Sequence, residues 1–205
     1  MSLFITFEGT EGCGKSTHIH KLTERLQAAG HTVRVVREPG GTESGEQIRK
    51  LLKHGPKNLT AEAELLLMNA SRAQLVREVI RSALAAGEVV LCDRFYDSTT
   101  VYQGAGRGLD AAQVQAIIDF AVGETRPNLT IFLQIPLEIS EKRRANRQGT
   151  DRFESANREF FQRIEAGYAA LAKSEPERIH TINADRPLNA VQADIWTTVS
   201  SLLKS

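Results

Sequence analysis

Short apolar runs recur along the chain, and each is followed by a stretch whose apolar positions fall at helical spacing. Leu3–Phe7, Thr32–Val36, Val89–Cys92, Leu129–Ile135 and Arg178–Ile182 read as strands. Between them lie predicted helices over Thr17–Ala29, closed by Gly30, and near Ser44–Lys53. A longer one runs from an N-capping Thr60 to Ala86 and stops at Gly87. Asp110, with Gln113 three residues later, opens a helix that Gly123 closes. Further helices are expected from Pro136, from about Ala156 to Lys173, and from Pro187 to Leu203. Short apolar strands alternating with helices predict an α/β protein: a five-stranded parallel sheet flanked by helices, joined by right-handed crossovers. No internal repeat, low-complexity tract or interdomain linker interrupts the pattern, so one domain is expected.

Composition narrows the class. The 205 residues carry 26 Lys plus Arg against 25 Asp plus Glu, a net charge of +1, so there is no global pull toward nucleic acid or anionic membrane. No signal-like n- and h-region opens the chain and no apolar run is long enough to span a bilayer, so a cytoplasmic enzyme is expected. The two cysteines, Cys13 and Cys92, have no metal-type spacing. Cys92 ends an apolar strand and is expected to be packed. Cys13 reads first as a small residue that fits its loop, and second as a thiol activated by nearby amides and Lys15.

The chemistry enters with Gly9-Thr10-Glu11-Gly12-Cys13-Gly14-Lys15-Ser16, a complete G-x-x-x-x-G-K-[ST] loop between a predicted strand and a predicted helix. Such a loop turns backbone N–H groups toward phosphate oxygens and adds the positive end of the following helix. Lys15 reaches β- and γ-phosphates, and the Ser16 hydroxyl suits Mg²⁺. In an open parallel sheet, ligands gather at the carboxyl ends of the strands. Arg37, Glu38 and a Pro-Gly-Gly turn follow the second strand; Asp93 and Arg94 follow the third. Asp93 can hold a water of the Mg²⁺ shell or orient a nucleophile, its bland alternatives being a helix N-cap or a structural partner for Arg94. Arg94 suits a phosphate fork. Arg49 by itself reads more readily as a solvated helix residue. After the fourth strand, Lys142–Arg152 carries five cations and one acid. A charge run is often a solvated helix face; this one follows a strand end of a phosphate site, where arginines can stabilise a transferred phosphoryl group.

Together FEGTEGCGKST, REPGGT, CDRFYDSTTVYQG and the later GRG resemble the thymidylate kinase family, over nearly the whole chain. The resemblance implies a three-layer fold like that of the P-loop nucleoside monophosphate kinases, ATP as donor with Mg²⁺, dTMP as acceptor, and a homodimer. It implies that Gly9 to Thr17 cradle ATP, with Arg143 and the Asn183-Ala184 turn near adenine. Glu38 faces the sugar and phosphate of dTMP; Arg49 and Arg94 grip the 5′-phosphate. Arg72 bonds the thymine edge, Ser98 and Gln103 address the base, and Tyr102 lies against the deoxyribose. A lid at about 142–154 supplies Arg147 and Arg152 to catalysis, the bacterial arrangement, since the phosphate loop has Glu11 and no arginine. Glu11 is expected to pair with a lid arginine.

One position departs from the family pattern: Met68 stands where a phenylalanine usually stacks on thymine. It shares a helix face with Arg72, and a thioether packs well on a ring; plain core is the alternative. Another nucleoside or nucleotide kinase and a switch-type ATPase are the rival readings. Arg94, Arg49 and the thymine-type residues argue against a nucleoside acceptor, since they predict a phosphate already present; the switch would need partner-dependent hydrolysis and no small-molecule acceptor.

Overall fold

The computed structural model describes residues 2–56, 58–145 and 157–203, except the side chain of Arg144. Arg147 and Arg152, and with them most of the expected lid, lie outside the described residues.

Five parallel strands form one sheet: β1 (Leu3–Glu8), β2 (Val33–Arg37), β3 (Val89–Asp93), β4 (Leu129–Gln134) and β5 (Ile179–Asn183), in the spatial order β2-β3-β1-β4-β5. The most apolar segments take the middle of the sheet: all of β1 is buried, whereas the edge strand β2 leaves Val35 exposed. Strand alternation then sorts side chains between two layers. Leu3, Ile5 and Phe7, with Val89, Leu91, Leu129, Ile131 and Leu133, pack on α1 (Lys15–Ala28) and α9 (Leu188–Leu202). Phe4, Val90 and Cys92 turn the other way, onto α3 (Ala61–Leu75), α4 (Arg81–Ala85) and α6 (Ala111–Val122). Phe132 lies over α8 (Arg158–Ser174), stacked on Tyr168 with ring centroids 4.9 Å apart. Two further helices, α2 (Glu43–His54) and α7 (Leu137–Ala145), flank the carboxyl ends of the strands.

Glu8 is the next member of the Phe4, Thr6 series, so the same alternation carries a carboxylate to the carboxyl end of the sheet, on the face away from α1. Asp93 belongs to the opposite series of β3, and its carboxylate meets Ser16 of α1.

The helix signals hold at most starts. Thr60, Asp110, Thr42 and Asn157 each accept a backbone N–H of the first turn. Three details differ from the sequence expectation. The stretch from Thr60 to Ala86 is helical, but a π turn (Val76–Ile80) divides it into α3 and α4. Arg77 within the turn and Arg81 just after it donate to the terminal carbonyls of α6, Ala121 at 2.8 Å and Val122 at 3.3 Å. The second difference is an unexpected helical segment after β3: α5 (Tyr96–Thr99) runs into another π turn (Thr100–Gly106). Its Asp97 is buried and takes a two-pronged contact from Arg178, Nη1 to Oδ2 at 2.7 Å and Nη2 to Oδ1 at 2.8 Å, which ties the segment to β5. The strands β1 and β3 each run one residue longer than expected, ending on Glu8 and Asp93.

Candidate active site

The phosphate loop takes its shape from its glycines. Gly9 has φ +139°, and a Cβ there would stand 2.5 Å from the Leu133 carbonyl oxygen. Gly14 has φ +94° and stands at the N-cap of α1 with no side-chain cap, so the first N–H groups of that helix remain available at the positive end of its dipole. Lys15 is buried; its Nζ donates to the carbonyls of Gly9 at 3.1 Å and Thr10 at 3.4 Å. Cys13 is buried in the core beneath the loop, its Sγ 3.7 Å from Nζ.

In front of the loop lies a cavity of about 300 Å³. Glu11, Gly12 and Gly14 to Thr17 line one end. Pro39, Met68, Arg72, Phe95, Thr99, Tyr102 and Gln103 line the rest, with Glu38, Arg49, Asp93, Arg94 and Ser98. Arg37, placed by the sequence at the end of the second strand, also faces it, as does Lys53, which the sequence did not single out. Gly9, Thr10 and Cys13 support the loop from behind. Arg143, Asn183 and Ala184 stand outside the cavity, across the loop: Arg143 donates to the Gly12 carbonyl at 2.9 Å and lies 3.5 Å from Asp185. The Asp185 amide in turn donates to the Asn183 side chain at 2.9 Å.

On the acceptor side, Arg94, Ser98, Arg72 and Gln103 are each held by a carboxylate. Arg94 has a left-handed backbone, φ +69°, a conformation a non-glycine residue keeps only when its surroundings impose it. Its Nη2 meets Glu11 at 2.6 Å and Tyr102 OH at 3.2 Å; its Nη1 donates to Ser98 Oγ at 3.0 Å. Glu11 thus pairs with Arg94; its expected lid partners Arg147 and Arg152 lie outside the described residues.

Glu8 lies beneath, fully buried. It accepts from the amides of Phe95 at 2.8 Å and Ser98 at 3.2 Å, from Ser98 Oγ at 2.5 Å and from Tyr168 OH at 2.7 Å. Burial, then Asp97, raises the Glu8 carboxyl above its ordinary value, against the pull of Arg94 and these hydrogen bonds. Ser98, expected at the base, has its hydroxyl engaged in this network.

Arg72 is 1% exposed. It donates from Nε to Glu38 at 2.8 Å, from Nη1 to Asn69 at 2.8 Å and from Nη2 to the Phe95 carbonyl at 3.1 Å. Glu38, expected to face the sugar and phosphate, is thus anchored to the base-side arginine. Burial pushes its carboxyl up to about 7, with Arg72 pulling the other way. Its Oε1 is, among the described residues, a buried side-chain oxygen without a hydrogen-bond partner. Arg49 donates to the Pro39 carbonyl at 2.7 Å and faces the cavity half-buried, so it is not the solvated residue its helix pattern suggests. Met68 lines the cavity one turn before Arg72.

Asp93 Oδ2 accepts from Ser16 Oγ at 3.2 Å. The helix it precedes has no side-chain cap bond, so Asp93 is no N-cap.

Sequence reading passed over Glu8, Glu64, Asp97, Tyr168 and Arg178. Glu8 alone left a signal, as the polar end of an otherwise apolar alternation.

A phosphate loop facing an arginine-lined cavity on a parallel five-stranded sheet defines a P-loop kinase of the nucleoside monophosphate kinase type. Residues 7–195 match the family model of thymidylate kinase, and the chain belongs to that family. Thymidylate kinase of Alcanivorax borkumensis is 47% identical over 201 residues, covering 97% of this chain and 96% of the relative. That of Deinococcus radiodurans is 46% identical over 198 residues, covering 97% and 96%. The solved thymidylate kinase of Ehrlichia chaffeensis superposes with a TM-score of 0.80 at 32% identity, covering 97% of this chain and 98% of that one. The protein is a dTMP kinase, a transferase of nucleotide biosynthesis that moves the γ-phosphoryl group of ATP to the 5′-phosphate of dTMP, giving ADP and dTDP.

Proposed function

We propose the following division of labour for dTMP phosphorylation. The loop amides and Lys15 hold the ATP phosphates, while Arg143 and the Asn183-Ala184 turn flank the adenine. Arg94 and Arg49 grip the acceptor phosphate, and Arg72 and Gln103 meet the thymine edge. Tyr102 packs on the deoxyribose, and Met68 lies on the base. Glu38 and Ser98 act by holding Arg72 and Arg94 rather than by facing sugar and base directly. The observation that carries this division is the single cavity shared by Lys15, Arg94 and Arg72. Little covalent work falls to the protein in phosphoryl transfer; aligning two phosphates and neutralising their charge is most of the task.

Ser16 and Asp93 fit a magnesium ion: a hydroxyl and a carboxylate oxygen, hard donors 3.2 Å apart at the rim of the loop. Bound there, Mg²⁺ would supply charge neutralisation for the triphosphate. Arg147 and Arg152 of a lid over about 142–154 are assigned to the transferred phosphoryl group, with Arg147 first. A single kinase domain, a homodimer and a cytoplasmic address complete the proposal. Among the described residues no helix is long and apolar enough to cross a membrane.

A coupled ADP-release assay with ATP, with and without Mg²⁺, against dTMP, dUMP, dCMP and thymidine tests this reading. Turnover confined to monophosphates and dependent on Mg²⁺ is expected. Comparable turnover with thymidine would overturn the phosphate-gripping roles.

A further inference from the structure

Glu64 belongs to α3, one turn before Met68 and two before Arg72, so the three residues share a helix face. It is 1% exposed. Its Oε1 accepts from Gln103 Nε2 at 2.8 Å and from Arg107 Nε at 3.2 Å, and its Oε2 accepts from Arg107 Nη2 at 3.1 Å. An ionised carboxylate accepts hydrogen bonds and donates none. The Gln103 amide therefore has one orientation open to it: its NH₂ toward Glu64, its carbonyl oxygen turned away. Gln103 lines the cavity beside Tyr102 and Arg72.

We infer that Glu64 is a specificity-determining residue that fixes which way round Gln103 presents its amide to the acceptor base. This rests on Gln103 and Arg72 facing the base. With the amide so fixed, that end of the site offers a carbonyl acceptor from Gln103 and a donor-only guanidinium from Arg72. A base with a ring N–H flanked by carbonyl oxygens, the imide edge of thymine or uracil, answers both. Cytosine answers neither, because its N3 carries no hydrogen and its neighbouring amino group donates toward Arg72. Acceptor then faces acceptor and donor faces donor, each leaving a desolvated polar group unpaired. Glu64 touches no substrate; it acts through Gln103, and Arg107 matches its buried charge.

The test is the ratio of kcat/KM for dTMP to that for dCMP, with dUMP as internal control. Glu64→Gln replaces an acceptor-only group by an amide that also donates, which frees Gln103 to turn over. The dTMP/dCMP ratio should fall by about tenfold or more. The dTMP/dUMP ratio and the KM for ATP should stay within about twofold, because the methyl group and the donor site lie outside this contact. Glu64→Asp, still acceptor-only, should retain most of the dTMP/dCMP ratio. In a Gln103→Ala background, Glu64→Gln should leave the ratio where Gln103→Ala had put it. An unchanged ratio in folded Glu64→Gln overturns the inference. So does a further additive fall in the Gln103→Ala background. If Glu64→Gln does not fold, Gln103→Ala decides, and an undiminished dTMP/dCMP ratio there overturns it. A wild-type enzyme indifferent to dTMP and dCMP would instead refute the base-facing roles of Arg72 and Gln103 themselves.

Discussion

The two ends of the cavity are built by different means. The donor end is contiguous: residues 9 to 17 turn back on themselves, and Lys15 donates to carbonyls five and six positions away. The acceptor end is assembled from remote parts. Arg72 is held by Glu38, 34 positions away, Gln103 by Glu64, 39 away, and Arg94 by Glu11, 83 away, over Glu8, whose partner Tyr168 is 160 away. Triphosphate binding needs amides and one ammonium, which a short loop supplies by itself. Reading a particular monophosphate needs side chains aimed to within a fraction of an ångström, and a long arginine holds its aim only when its other faces are occupied.

The largest effect should come from breaking the donor end. Lys15→Ala should lower phosphoryl transfer by about 10³-fold or more while leaving a native circular dichroism spectrum. Near-normal turnover in a folded variant would remove Lys15 from the machinery. Next is the phosphate side of the acceptor end. Arg94→Ala should raise the KM for dTMP by about tenfold to a hundredfold, the loss of one or two charge-assisted contacts, with the KM for ATP little changed. Equal changes in both constants would mean that Arg94 serves the whole cleft rather than the acceptor.

A smaller effect sharpens the base side. Arg72→Ala should lower kcat/KM for dTMP more than for dCMP, narrowing their gap by about tenfold, in steady-state kinetics with both acceptors. An unaltered gap would remove the base-reading role. The smallest effect concerns pH. Glu38 has its carboxyl raised from 4.5 to about 7, so the folded state holds that proton more tightly than the unfolded chain does. Its contribution to stability is full below pH 4.5 and is lost as pH rises through about 7. Denaturant unfolding of wild type and Glu38→Gln at pH 4.5 and 7.5 should show the wild type losing ground to the variant at the higher pH. The opposite slope would mean that the ion pair with Arg72 outweighs burial.

The contrast between the two ends also explains what could be read from the sequence. Apolar runs announced all five strands; β1, β3 and β4 are buried almost throughout, whereas the edge strands β2 and β5 keep exposed residues such as Arg34 and His180. The phosphate loop was legible because its parts are neighbours in the chain. The buried carboxylates were not: Glu64 in α3 looks like any helical glutamate until Gln103 and Arg107 are folded against it. The stretch from Tyr96 to Gly106 escaped notice for a local reason. Asp97, Ser98 and two threonines followed by glycines carry weak helix propensity and no apolar stripe. Its helical form comes from contacts made elsewhere, with Arg178 holding Asp97, and Glu8 holding the amides of Ser98 and of Phe95 just before the stretch.

The π turn at Thr100–Gly106 has a consequence for anyone comparing related chains. A wide turn takes up an extra residue relative to a regular helix. Here that residue count sets where Tyr102, Gln103 and Arg107 emerge from the coil. Removing a single residue would let the segment tighten into an ordinary helix and swing Arg107 and Gln103 off Glu64 together. In an alignment, a one-residue gap at this place is therefore no harmless loop indel; it marks a relative whose choice of base should be measured rather than transferred.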